Sequence, residues 1–191
     1  MATSLSTSPF VQTYTLEQFW QLFDPPDGSK LELISGVLYM TPPPDYKHDN
    51  IVGRLIRLLD RHLLEIDDKG NLYVPRAAIW TGPSTHLEPD LFYVSAELEA
   101  KLDPAHRNTA DLVIEVISPG SAVYDRNTKA DTYGALGVRE LWLIDGSSKT
   151  VEVRLQADNG FGPATVFNLG QPLQSAVFPR LNLIVDALFD G

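Results

Sequence analysis

The stretch DLVIEVISPG, residues 111–120, constrains the fold of this chain more than any other. Leu112, Val113, Ile114, Val116 and Ile117 make an almost continuous apolar run, the mark of a central strand covered on both faces. Such a strand needs a layer on each side. With 191 residues, 43% of them hydrophobic and 21% charged, the chain can supply both layers within one ordinary domain. Glu115 interrupts the run. A buried carboxylate costs several kcal/mol or shifts its pKa strongly, so it calls for a compensating partner.

The flanking sequence supplies the layers. TYTLEQFWQLF opens with a capping box, Thr15 and Gln18, and continues with an apolar stripe of Leu16, Phe19, Trp20 and Phe23, which predicts a short helix. KLELISGVLYM reads as a hairpin turning at Ser35-Gly36, and the prolines at 42–44 stop its second strand. DYKHDNIVGRLIRLLDRHLLEI is a clear amphipathic helix, with Ile51, Val52, Leu55, Ile56, Leu59, Leu63 and Leu64 recurring at helical spacing. Its other face carries Lys47, His48, Arg54, Arg57, Arg61 and His62, either a solvated face or a basic ridge beside a phosphate backbone.

NLYVPRAAIW, PDLFYV, RELWLIDG and TVEVRLQ read as strands, YDRNTKADTYGALG as a helix closed by Gly137, and the tail from residue 164 as β-rich with a short helix near its end. The order helix, hairpin, helix, strands, helix, strands predicts a mixed α/β (α+β) fold, one curved sheet flanked by helices. Residues 1–14 read as a flexible Ser/Thr-rich leader and 15–191 as a single domain. There is no cysteine, which removes disulfide and thiolate chemistry. There is no apolar run of membrane-spanning length, so the expected location is cytoplasmic. The net charge of −10 opposes non-specific nucleic-acid binding, although a bound metal would change the local sign.

Side chains alternate along a strand, so Leu112, Ile114 and Val116 point one way and Val113, Glu115 and Ile117 the other. Asp90, after Pro89, opens the preceding strand. Two acids at the ends of neighbouring strands make a hard oxygen site suited to Mg2+ or Mn2+. A lysine would complement them. Two residues past Glu115, on the same face, stands Ile117. The next candidate is Lys129 in the following helix, with Tyr133 one turn further on the same side.

The ordered set ELISG, HDNIVGRLIRLLDRHL, EPDLFYVS, DLVIEVISPGS and DRNTKADTYGALGVRELWLID resembles the Uma-type endonuclease family of the PD-(D/E)XK restriction-endonuclease-like superfamily. The resemblance runs from about Leu31 to Asp145 and more weakly to the C-terminus. It implies a restriction-endonuclease-like core and a divalent-metal-dependent hydrolase that cuts phosphodiester bonds of nucleic acid, DNA above all. By the same resemblance Asp90 and Glu115 match the metal-binding acids. Glu32 in LELISG matches an acid that completes or orients the metal site. Lys129 matches a lysine moved from strand to helix, since Ile117 holds its usual place.

Each residue has a plainer reading. Glu115 is a structural carboxylate if an arginine or backbone amides compensate it, and Asp90 is a turn residue after proline. Lys129 is an exposed helix lysine, Glu32 lies on the wet face of a hairpin, Tyr133 caps the core, and His48 is a helix N-terminal residue or a phosphate contact. The matching alternative for the whole chain is a catalytically inactive nuclease-like scaffold that binds nucleic acid or protein. A homodimer built on the C-terminal strands is compatible with either.

Overall fold

A computed structural model describes residues 11–103, 107–118 and 120–189. The chain runs α1 (Leu16–Phe19), β1 (Lys30–Ile34), β2 (Val37–Thr41), α2 (Tyr46–Glu65), β3 (Asn71–Tyr73), β4 (Ile79–Thr81), β5 (Thr85–Leu87), β6 (Leu91–Val94) and α3 (Ala96–Glu99). It continues with β7 (Leu112–Ile117), α4 (Ala122–Tyr124), a π-helical turn (Asp125–Lys129), α5 (Ala130–Ala135), β8 (Glu140–Asp145), β9 (Thr150–Ala157), β10 (Gly160–Phe161) and β11 (Thr165–Phe167). A 3-10 turn (Val185–Leu188) closes it.

The expected central strand is β7, buried at all six positions. It pairs in parallel with β8, and α4, the π turn and α5 form the crossover between them. Its two faces divide as the alternation requires. Leu112, Ile114 and Val116 join Trp142, Ile144 and the apolar face of α2 in one core. Val113 and Ile117 join Leu141, Leu143, Ala130 and Tyr133 in the other. Burying each large aliphatic side chain contributes about 1.5–3 kcal/mol, so covering both faces of one strand anchors the domain.

The strands part into two sheets rather than closing into one. The larger has the order β10-β9-β8-β7-β6-β3, with β11 also paired to β9; the smaller is β2-β1-β5-β4. The division falls where Glu88, Pro89 and Asp90 join β5 to β6, because proline has no N–H to continue a ladder. Proline also explains a second difference. NLYVPRAAIW, read as one strand, forms β3 and β4 in different sheets, with Pro75 and Arg76 (φ +76°) turning the chain between them.

Other local readings hold in part. Thr15 and Gln18 form the capping box, and Ser35 and Gly36 turn the hairpin with positive φ. Leu16 and Phe19 are buried, but Trp20 and Phe23 of the expected stripe face outward. His62 does not belong to a basic face, because it is buried and its ring packs edge-on against Phe178. The tail is less β-rich than expected, with β11 and an isolated bridge between Pro172 and Ile184 among the described residues. Residues 1–10 of the expected leader lie outside the described residues, and at its other end the Tyr14 N–H donates to the Gly36 carbonyl at 2.8 Å.

Candidate active site

The acids converge because the sheet register aims them at one another. Leu91 of β6 lies opposite Ile114 of β7, so the antiparallel register carries Asp90 to a position opposite Glu115. The Val116 N–H donates to Asp90 Oδ2 at 2.8 Å, which fixes Asp90 against β7. Glu32 arrives from the smaller sheet. Leu33 packs against α1, so Glu32 and Ile34 face the other way, toward the core that holds Tyr133. Glu32 is therefore not on a wet hairpin face. It is 0% exposed, and its Oε1 accepts the Glu88 N–H at 2.9 Å.

The crossover helix covers this floor from above. In the π turn the Ala130 N–H reaches back to the Asp125 carbonyl, five residues away. Asp125, Lys129 and Tyr133 follow one another at four-residue intervals, and all three are buried. Lys129, only 2% exposed, places Nζ 2.6 Å from Glu115 Oε1, 3.2 Å from Glu32 Oε1 and 3.8 Å from Asp125 Oδ1. The Tyr133 hydroxyl donates to Glu115 Oε1 at 2.6 Å, and that of Tyr124 donates to Glu32 Oε2 at 3.3 Å. The exposed-lysine reading of Lys129 is thereby excluded, and Tyr133 is both a core residue and a donor to the site.

The electrostatics follow from this crowding. Burial pushes the Glu115 carboxyl up to about 7, and the Lys129 ammonium only partly opposes it. Burial works against charge on Lys129 too, but Glu115, Glu32 and Asp125 outweigh it and hold the ammonium well above its ordinary range. Burial and the neighbouring carboxylates raise Tyr133 well above a normal phenol, so it remains a donor. Burial also raises Asp125, with Lys129 opposing.

His48, in the first turn of α2, belongs to the same site. Its N–H caps onto Asp45 Oδ1 at 2.9 Å, and its ring Nε2 lies 3.0 Å from Asp90 Oδ2. Burial disfavours the imidazolium, but the Asp90 hydrogen bond and charge prevail and raise it. In return His48 outweighs the burial of Asp90 and lowers that carboxyl. Lys30, Pro43, His48, Asp90, Glu115 and Lys129 line one cavity of about 230 Å3.

Asp125 and Tyr124 were not expected from the sequence. Their signal was the spacing, since Asp125 precedes Lys129 by one helical turn and Tyr124 adjoins it. Burial of those positions depends on how the helix docks, which spacing alone does not give.

The chemistry of the donor set fits a hard divalent cation. Among the described residues no hydrogen bond reaches Asp90 Oδ1 or Glu115 Oε2, and both residues line the cavity. No group of three or more metal-type ligands is assembled among the described residues. Mg2+ commonly takes one or two carboxylates and completes its shell with water and substrate phosphate, so two open carboxylate oxygens suffice.

Comparison with known proteins places the fold and the family. The fold matches the crystal structure of a protein from Anabaena variabilis ATCC 29413, described as a "putative nuclease belonging to DUF820", with a TM-score of 0.74. The two are 20% identical, and the match covers 92% of this chain and 97% of the other. Among curated proteins there is no match. Residues 16–186 match the Uma2 family, described as "Putative restriction endonuclease", and the chain belongs to that family.

Proposed function

We propose that this chain is a divalent-metal-dependent endonuclease that hydrolyses phosphodiester bonds of nucleic acid, with DNA as its substrate. The observation that carries the reading is the convergence of Asp90 and Glu115 on one cavity with the buried Lys129, which Glu32 contacts from behind at 3.2 Å. Asp90 and Glu115 would hold Mg2+ or Mn2+, with Glu32 completing or orienting the set. Bound there, the cation supplies a water acidic enough to attack at neutral pH and a counter-charge for the phosphate.

The chain's own residues do the rest. Tyr133 and Lys129 hold one oxygen of Glu115, which leaves the other free to face the cavity. Lys129 offers a compact cation that offsets charge on a phosphate drawn into the site. His48 orients Asp90. Exposed Leu155, Val166, Leu169 and Ile184 in the C-terminal third are consistent with the homodimer.

The test is incubation of purified protein with supercoiled DNA and Mg2+. Nicking by the parent and none by Glu115→Ala is the expected result, and equal nicking by both would remove the assignment. One observation favours the inactive-scaffold reading: Lys129 already pairs with Glu115 and Glu32, two of the carboxylates that a cation would use. A saturating Mg2+ isotherm in the parent that disappears in Asp90→Asn would exclude that alternative.

A further inference from the structure

A second cavity, of about 190 Å3, lies beside the first, and Arg76 and Glu88 line both. Phe19, Trp20, Leu31 and His86 complete most of its wall. The wall is built rather than incidental. Trp20 is 55% exposed, yet it is held edge-on against Trp80 with ring centroids 5.3 Å apart. Phe19 and His86 lie together at 4.9 Å. Arg76 is brought to the shared wall by a left-handed backbone, φ +76°, which a non-glycine residue adopts only at a cost. Two buried polar atoms of the wall, His86 Nδ1 and Glu88 Oε2, have no hydrogen-bond partner among the described residues. Arg76 Nη1 ion-pairs with that Glu88 oxygen at 3.5 Å without a hydrogen bond to it, and Arg76 Nη2 donates to Asp24 Oδ2 at 3.2 Å on the rim of the same cavity.

Buried polar atoms without hydrogen-bond partners are rare, and their company here is aromatic. A planar ligand whose edge carries N–H donors would satisfy both features. It would stack on the exposed indole and donate to the Glu88 carboxylate, as nucleobases do on aromatic platforms and acidic side chains. Its attached phosphate would then fall toward Arg76 and Lys30, at the mouth of the cavity that holds Asp90 and Glu115.

We propose that the Phe19, Trp20, His86 and Glu88 cavity is a nucleobase-binding pocket that seats the base next to the phosphate delivered to the acidic floor. It prefers bases with amino-bearing edges, guanine first, because guanine presents two adjacent N–H donors to one carboxylate. Its role in cleavage rests on the nuclease reading, but its binding does not. Burial lowers His86 and keeps its ring neutral at ordinary pH, so the ring does not repel the donors of a base.

The test is calorimetric titration of the full chain, without divalent metal, with guanosine, adenosine, cytidine and uridine 5′-monophosphates. Saturable binding is expected, with the uridine compound about tenfold weaker than the guanosine one. Glu88→Gln should weaken guanosine binding about tenfold. Trp20→Ala, at a position 55% exposed, should weaken all of them about fivefold. No saturable binding, equal affinity across the series, or unchanged affinity in both variants overturns the pocket, even if DNA is cleaved. Intact nucleotide binding without any Mg2+-dependent nicking would remove the nuclease reading and leave the pocket standing.

Discussion

Lys129 and Tyr133, four residues apart on one helix, donate to the same oxygen, Glu115 Oε1, each at 2.6 Å. The pairing answers the question that Glu115 poses in an otherwise apolar strand: an ammonium and a phenol compensate its burial. It also means that Lys129 stabilises the fold, whatever it does in chemistry.

Replacing Lys129 with Met should therefore be costly. The methionine fills similar volume but leaves Glu115, Glu32 and Asp125 facing one another without a cation. Breaking a buried pair by removing one partner costs about 3–5 kcal/mol. Urea unfolding should show that loss. Under the proposed metal role, millimolar Mg2+ should restore more stability to Lys129→Met than it adds to the parent, since a ligand that binds only the folded state stabilises by mass action. A variant as stable as the parent, with or without Mg2+, would contradict this account of the site.

Stability should fall as pH rises through neutrality. Glu115 is raised from its ordinary 4.5 to about 7, so the stability gained by burying it protonated is complete below about 4.5 and is lost as pH climbs through 7. His48, raised above its ordinary 6.5, acts in the same direction, because its contribution is lost as pH rises above that value. Asp90 is lowered, so its contribution disappears only in acid. The urea midpoint should drop between pH 5 and 8, and Glu115→Gln should flatten the curve. Parallel curves for parent and variant would refute the assignment.

These two predictions rest on features of unequal visibility in the sequence. The strand DLVIEVI, the hairpin at Ser35-Gly36 and the long helix after Asp45 were legible, because apolar periodicity and turn chemistry are local. Asp90, Glu115 and Lys129 could be singled out by type and spacing. The parting of the strands into two sheets was not legible, since whether Pro89 ends a ladder depends on which strand lies beside it. Glu32 shows the same limit from another side. Alternation puts it opposite Leu33, but only docking of the two sheets decides that both faces of β1 are covered. Asp125 joined the cluster through the π turn, which no propensity in DRNTK announces.

Away from the cavity, Glu140 is fully buried and holds the C-terminal segment to the sheet. Its Oε1 accepts from Trp142 Nε1 at 2.6 Å, and its Oε2 accepts the N–H groups of Ala176 and Val177 at 2.7 and 2.8 Å. Glu140→Ala strands all three donors, and the buried Trp142 Nε1 left unsatisfied costs about 1–3 kcal/mol. Hydrogen exchange should show the amides of Ala176 and Val177 losing protection before those of β7. Retained protection at both would mean that the apolar packing of Phe178 and Leu183, rather than Glu140, anchors this segment.

Gly134 sets two general effects against each other. In a helix interior, Gly→Ala ordinarily gains up to about 1 kcal/mol. Here the added methyl would meet backbone, 3.1 Å from Gly160 Cα and 3.2 Å from the Phe161 nitrogen, and backbone cannot swing aside as a side chain does. Overpacking of this kind costs about 1–3 kcal/mol, so the clash outweighs the helix gain and Gly134→Ala should be destabilising. The Gly134 carbonyl also accepts from Gln156 Nε2 at 3.1 Å, so a shift of α5 away from β10 would stretch that bond as well. Tyr133 is the adjacent residue, and its hydroxyl must stay 2.6 Å from Glu115. Under the proposed function the variant should therefore lose nicking activity along with stability, whereas Gln156→Ala, which leaves α5 in place, should lose little of either. A thermal melt of Gly134→Ala above that of the parent would show that β10 yields and that α5 does not depend on it.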